Sequence, residues 1–204
     1  MLTLKFGGTS MGSARRILDS VEIMIGRAKS DRISVVVSAV AGISNKLQTA
    51  IDGCASGGTA ESFVSELRRI HADICAEIKS ALPEFSTESV NAKIEPLFSE
   101  LEKLLAGLTV FGECPDTVHC RIMGMGELIC APIVEAVLLA KKQSVLLLDS
   151  RKFIYTTGDH KEGEPDYAHC ADAFADHRVG SAPLAHILLF PGFICSWMSG
   201  PGAN

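Results

Sequence analysis

The sequence lacks the features that mark several large classes of protein. It has no dense cluster of lysine or arginine and a formal net charge of −5, so nucleic acid is not an expected partner. No apolar run reaches the ~20 residues of a membrane-spanning helix, and the amino terminus has the pattern of a strand rather than of a secretory signal. We therefore expect a cytoplasmic protein with no membrane partner.

The seven cysteines also lack the spacing of a disulfide framework or a zinc site. Their number is odd and no Cys-x-x-Cys pair occurs. The pairs His119-Cys120 and His169-Cys170 do not match the usual tetrahedral zinc patterns. We expect reduced, mostly buried thiols and no metal held by protein side chains.

The first ten residues predict a strand, a glycine loop and the start of a helix. Leu2, Leu4 and Phe6 alternate with polar residues, and the loop 7–10 follows, which consists of Gly7, Gly8, Thr9 and Ser10. Two glycines let the backbone approach a ligand closely, and the start of a helix favours an anion. Lys5 would add an ammonium to the same space. The stretch predicts a binding site for nucleotide phosphates, with a simple tight turn as the alternative.

This glycine loop is not a standard P-loop. Gly7 to Gly12 has the glycine spacing of a Walker A motif, but Ser13-Ala14 stands where Lys-Ser or Lys-Thr is required. The lysine lies upstream, at position 5, so any phosphate site is of a different kind.

Alternating helical and strand patterns predict an α/β fold with a parallel sheet. Apolar residues recur at helical spacing over 14–28, and a β-branched strand follows at 33–37. Further buried strands are predicted at 145–148 and 187–190. Ligands in such sheets bind at the carboxyl ends of the strands, where Lys5 and Ser38 fall.

Two long helical patterns interrupt this alternation. They cover 60–82 and 90–108 and predict an inserted helical hairpin over about 60–110. Pro96 either kinks the second helix or marks its first turn.

Two further polar residues have simple structural interpretations. Ser44 begins a helix after the loop that leaves the second strand, so it fits an N-cap. Glu127 follows Gly126 at the start of a nearly continuous apolar helix, where a carboxylate suits the helix dipole. Asp149 likewise fits a cap.

Several of these motifs resemble those of one family. Lys-Phe-Gly-Gly-Thr-Ser at 5–10 is similar to the amino-terminal signature of aspartokinases, members of the amino acid kinase family. The run 37–45, the pair Gly126-Glu127 and the Gly-Phe-Ile at 192–194 also resemble that family. The resemblance implies that Lys5 is catalytic and binds ATP phosphate together with Gly7, Gly8, Thr9 and Ser10.

The same resemblance implies the acceptor site and the reaction. Ser38, Ser44 and Glu127 would bind L-aspartate, whose β-carboxylate ATP would phosphorylate in the first step of lysine, threonine and methionine biosynthesis. Mg²⁺ would be held mainly by the nucleotide phosphates. The implied fold is a three-layer αβα sandwich around a mainly parallel sheet, and the full-length form would be a homo-oligomer.

The resemblance covers only the amino-terminal portion of an aspartokinase. The family continues after Gly-Phe-Ile to a second glycine-rich loop that carries an arginine and an aspartate, whereas residues 195–204 have a different sequence. We therefore interpret 1–204 as the amino-terminal part of a catalytic domain, which can be inactive alone. The alternatives are a non-catalytic aspartate-binding or subunit-interaction fragment and another amino acid kinase, such as a glutamate or acetylglutamate kinase.

Overall fold

The computed structural model describes residues 2–176 and 185–198. The end of the chain, over which the sequence departs from the aspartokinase pattern, lies partly outside these residues. Within the described ranges the helices are α1 (Ala14–Ala28), α2 (Ile43–Ala55), α3 (Ala60–Ala81), α4 (Thr87–Phe111), α5 (Asp116–Met123), α6 (Met125–Ala140) and α7 (Tyr167–Asp176). The strands are β1 (Leu2–Phe6), β2 (Ile33–Val37), β3 (Val145–Leu147), β4 (Tyr155–Thr157), β5 (Glu164–Pro165), β6 (Ile187–Pro191) and β7 (Ser196–Trp197).

A parallel sheet organises the described part of the chain. Its strand order is β1-β2-β6-β3, and every neighbouring pair is parallel. The strands β4, β5 and β7 form a second, smaller sheet. The predicted α/β fold with a mainly parallel sheet is therefore confirmed.

The two faces of the parallel sheet are covered differently. On one face, Leu4, Val35 and Leu189 join the main hydrophobic core with the helices α1 to α6. On the other face, Leu188 and Phe190 form a small second cluster. In the described residues, the second helical layer of the predicted sandwich consists of α7, which packs Phe174 on that cluster.

An open cavity of about 990 Å³ also lies on this second face. Side chains of β1, β2 and β6, together with the segment 192–195, contribute to its lining. The sheet therefore has one closed face and one face that is partly accessible.

The helices α3 and α4 occupy the range predicted for the inserted hairpin, and they pack against each other. The helix α4 begins at Thr87, where the side chain of Ser86 accepts a hydrogen bond from the Ser89 N–H at 3.1 Å. Pro96 therefore lies well inside the helix, and the prediction that it marks the first turn is wrong. It lies on an exposed part of the helix, where water can bond to the carbonyl group that a proline leaves without a donor.

The helices α5 and α6 follow each other almost without interruption over 116–140. By length and composition this stretch could cross a membrane, which the sequence patterns did not predict. However, 89% of its most apolar window is buried inside the protein, as expected of a core helix. The stretch is therefore weak support for a membrane span.

Candidate active site

Three parallel strands end at the same level and define the edge where the candidate site lies. Phe6 is in register with Val37, and Val37 with Pro191. Beyond these residues, the Ser38 N–H donates to the Phe6 carbonyl at 3.0 Å, and the Gly192 N–H donates to the Val37 carbonyl at 2.7 Å. The three loops that follow β1, β2 and β6 therefore start side by side, as ligand sites in open α/β sheets require.

Lys5 lies near the end of β1, in register with Val36. Because residues in lateral register share a face of the sheet, Lys5 lies on the partly open face. Its side chain is exposed. Among the described residues, no hydrogen bond or ion pair joins Lys5 to Glu127.

The loop 7–10 forms a tight turn in front of α1. Gly7 precedes a short 3-10 helix, Gly8–Met11, and its carbonyl accepts hydrogen bonds from the Ser10 and Met11 N–H groups at 2.9 and 3.3 Å. The Thr9 carbonyl accepts from the Arg16 guanidinium at 2.8 Å. The loop is thus fastened to the first turns of α1.

Neither packing nor backbone conformation requires glycine at position 7 or 8. Gly7 has a φ of −79°, and a Cβ added there would meet nothing within 4 Å. A Cβ at Gly8 would meet the Ala39 carbonyl oxygen at 3.5 Å, which is an ordinary contact. The space in front of Gly7 is therefore open, whereas Gly8 packs on the loop after β2. The open space at Gly7 fits the close approach of a ligand such as a phosphate group.

Ser38 and Glu127 meet, although 89 residues separate them in sequence. The Ser38 hydroxyl donates a long hydrogen bond to Glu127 Oε1 at 3.5 Å. Gly126 makes this approach possible, because a Cβ at that position would lie 2.7 Å from Ala39 Cβ. The first turn of α6 therefore packs directly on the loop after β2.

Glu127 is a buried carboxyl group, with only 4% of its surface exposed. Burial raises the pKa of Glu127, because the ionised form loses hydration, while hydrogen bonds from the Ala39 N–H, its own N–H and Ser38 act in the opposite direction. A cationic ligand group beside the carboxylate would favour its ionised form. The side chain thus has the properties of a binding group for an amine.

Ser44 lies in the first turn of α2, not at its N-cap. The N-cap is Gly42, whose φ of +81° is a left-handed conformation that favours glycine. The interpretation of Ser44 as the cap is therefore wrong. Its neighbour Ile43 packs at the start of α6, since Ile43 Cγ2 would be 3.4 Å from a Cβ at Gly126. Ser44 itself is exposed.

The third loop contributes a residue to which sequence analysis assigned no role. Phe193 follows Gly192 at the end of β6, has a φ of +58° and is 93% exposed. A phenylalanine in the left-handed region is strained, and such strain concentrates at functional sites. A positive φ at a residue other than glycine has no signal in a single sequence, so only the structure reveals it.

The described residues contain no group of three or more histidine, cysteine, aspartate or glutamate side chains arranged to hold a metal ion.

Asp149 caps the short 3-10 helix Ser150–Lys152, where its carboxylate accepts from the Arg151 N–H at 3.0 Å and pairs with the Arg151 guanidinium. The structural interpretation of Asp149 is therefore confirmed.

Comparison with known proteins supports the family predicted from the motifs. The chain is 25% identical over 195 residues to a bifunctional aspartokinase/homoserine dehydrogenase of Buchnera aphidicola, covering 95% of this chain and 24% of that protein. It is 28% identical over 168 residues to an aspartokinase of Chlamydia muridarum, covering 82% of this chain and 34% of the relative. The resemblance to the aspartokinases is confirmed. No family model matches the chain.

The aspartokinase likeness extends to the fold. The structure of Escherichia coli aspartokinase III in complex with aspartate and ADP superposes with a TM-score of 0.82 at 23% identity, over 98% of this chain and 42% of that one. The same enzyme in complex with lysine and aspartate gives a TM-score of 0.80. The chain thus spans between about a quarter and two fifths of the aspartokinases to which it is compared.

Proposed function

We propose that this chain forms the part of an aspartate kinase that binds L-aspartate and the phosphates of ATP. The contact between Ser38 and Glu127, beside the glycine loop and at the common end of β1 and β2, carries the proposal. Two further observations support it. The aspartokinase relatives match the chain along most of its length, and a structural neighbour binds aspartate and ADP.

The chemistry of the proposed reaction suits these residues. The β-carboxylate of aspartate is ionised at neutral pH, so transfer of a phosphoryl group to it needs no general base. The reaction needs positive charge and alignment, because two anions must approach each other. Lys5 would neutralise phosphate charge, and the Gly7-Gly8 backbone, with Thr9 and Ser10 behind it, would surround the phosphates.

The phosphoryl acceptor, L-aspartate, would lie on the side of the loop 7–10 that faces Glu127, away from the ATP phosphates. The Glu127 carboxylate is suited to the ammonium group of aspartate, and the hydroxyls of Ser38 and Ser44 would orient the substrate. Mg²⁺, bound through the nucleotide phosphates, would supply further positive charge at the transferred group. The pathway of lysine, threonine and methionine biosynthesis, a cytoplasmic location and a homo-oligomeric full-length form remain predictions from the resemblance.

Calorimetric titration of L-aspartate tests the acceptor site. Glu127→Gln should weaken binding about tenfold or more, because it removes the charge that faces the ammonium group. The control is Glu61→Gln, an exposed carboxylate in the first turn of α3. Equal affinity of wild type and Glu127→Gln would contradict the assigned role. Stronger binding of L-glutamate or N-acetylglutamate would favour another amino acid kinase.

Titration of Mg-ATP tests the phosphate site separately. Lys5→Ala should weaken binding about tenfold, the effect of losing one ion pair to a phosphate. The control is Lys29→Ala, at the opposite end of α1. If the chain binds aspartate but Mg-ATP has no measurable affinity for it, the non-catalytic fragment is the better interpretation.

A further inference from the structure

Two cysteines from distant parts of the sequence lie in neighbouring segments beside the candidate site. Cys120 lies in α5 and is half-buried, whereas Cys195 follows β6 and is exposed. The Cys120 thiol donates to the His160 carbonyl at 3.2 Å, and the Cys195 sulfur lies 3.5 Å from Thr156 Oγ1. Both thiols therefore contact the same short stretch, 156–160.

The packing around α5 brings the two cysteines close together. The Gly124 N–H donates to the Cys120 carbonyl at 3.0 Å, one helical turn further along. Gly124 in turn packs on Ile194, whose Cγ2 would lie only 2.9 Å from a Cβ at position 124. Cys195 follows Ile194 directly, so these contacts bring together the two segments that carry Cys120 and Cys195.

The electrostatic surroundings of Cys120 agree with this placement. Burial raises the pKa of the Cys120 thiol, the Lys161 ammonium lowers it, and a negative charge on Cys195 raises it further. The positions of the two cysteines follow from the contacts through Gly124 and the stretch 156–160. Lys161 also pairs with Asp116 at 2.5 Å, which fixes a cation next to the thiols.

We propose that Cys120 and Cys195 form a reversible disulfide when the protein meets a peroxide. The exposed Cys195 thiol would react first: it takes up one oxygen atom from hydrogen peroxide and becomes a sulfenic acid, and one water is released. The Cys120 sulfur then attacks the Cys195 sulfur, the S–O bond breaks, and a second water leaves. Two thiols are thereby oxidised by two electrons, and one peroxide is reduced to two waters.

The disulfide would join two elements that border the candidate site. Cys195 lies three residues beyond Gly192, and Cys120 lies one helical turn before the start of α6, which carries Glu127 in its first turn. The bond would therefore restrict movement between α6 and the loop after β6. This inference does not depend on the identity of the substrate.

Thiol counting and peptide mapping after peroxide treatment test the proposal. Wild type should lose two of its seven free thiols, and a tryptic digest should contain one peptide pair joined through Cys120 and Cys195 that dithiothreitol separates. Cys120→Ser and Cys195→Ser should each abolish the joined pair. Cys114→Ser is the matched control, because Cys114 is the other half-buried thiol near Cys120 and its removal should leave the pair intact.

The single tryptophan provides a second measurement. Trp197 lies two residues after Cys195, and its indole N–H donates to the Gly158 carbonyl at 2.8 Å. Its fluorescence should change on oxidation of wild type and of Cys114→Ser and should recover on reduction, whereas it should remain constant in Cys195→Ser, which lacks the thiol that reacts first. A disulfide between Cys114 and Cys120, a bond between two molecules, or oxidation of Cys195 to a sulfinic acid without a disulfide would overturn the proposal.

Discussion

Replacement of Glu127 by glutamine should stabilise the protein at neutral pH while it damages the proposed acceptor site. Glutamine has nearly the same shape, and its amide oxygen can still accept from the Ala39 N–H. It carries no charge, however, so the cost of burying an ionised group disappears. The substitution thus separates the contribution of charge from that of packing.

The sign of the effect follows from the raised pKa of Glu127. The folded protein holds the proton of this carboxyl group more tightly than the unfolded chain does. The free energy of unfolding therefore falls as the pH rises above 4.5, the ordinary value for the group, and stays lower once the folded-state carboxyl has ionised. Below 4.5 the group is neutral in both states, and this contribution is fully retained.

The magnitude follows from the number of donors that face the carboxylate. An incompletely compensated buried polar group costs about 1–3 kcal/mol, and the three donors around Glu127 offset part of this cost. We expect Glu127→Gln to increase the free energy of unfolding by about 1 kcal/mol at neutral pH. For a chain of this length, that corresponds to a rise of about 2–4 °C in Tm.

Urea and thermal unfolding at about pH 4 and about pH 8 measure this difference. The gain should be present at the higher pH and nearly absent at the lower one. Glu61→Gln, which removes an exposed carboxylate, should change stability by less than about 0.5 kcal/mol at both. If Glu127→Gln were less stable than wild type at about pH 8, or if its gain were equal at both values, the reasoning about burial would be refuted.

Four other substitutions test separate features of the structure. Gly126→Ala should destabilise by about 1–3 kcal/mol, because its Cβ would lie 2.7 Å from Ala39 Cβ. Gly26→Ala, in an open position on α1, should instead stabilise by up to about 1 kcal/mol, and urea unfolding compares the two. Burial lowers the pKa of His71, so stability should fall as the pH drops below 6.5. His71→Leu should reduce this loss of stability at low pH. An unchanged pH dependence of the free energy of unfolding would contradict the role assigned to His71. Phe193→Gly should stabilise by about 1 kcal/mol through relief of the positive φ, as thermal unfolding would show.

The main strands and helices could be predicted from the sequence because their patterns are strong. The β-branched run 33–37 and the apolar run 187–190 are strands buried on both faces, and α1 has a continuous apolar stripe. The second sheet and α7 were not predicted. Strands of two or three residues are too short for a period to be recognised, and they form because neighbouring segments meet in space.

In the candidate site, too, some features could be predicted from the sequence and others could not. The meeting of Ser38 and Glu127 followed from motifs, since periodicity gives no contact between residues 89 positions apart. The error at Ser44 arose because a serine before a helix is the usual cap, whereas here the left-handed Gly42 begins the helix. The functional roles of Lys5, Ser38, Ser44, Glu127 and the glycine loop stay predictions.

Because successive side chains of β1 point to opposite faces of the sheet, the direction of the Lys5 ammonium depends on the packing of the hydrophobic core. Leu4 and Phe6 contact the helices, so Lys5 between them must face the other way. Loss or gain of a single residue in the turn 29–32 that shifted the β1–β2 pairing by one position would reverse all three side chains at once. Length variation before β2 should therefore be tolerated far less well than substitution there, and selection for a well-packed interior would by itself preserve the direction of the Lys5 ammonium.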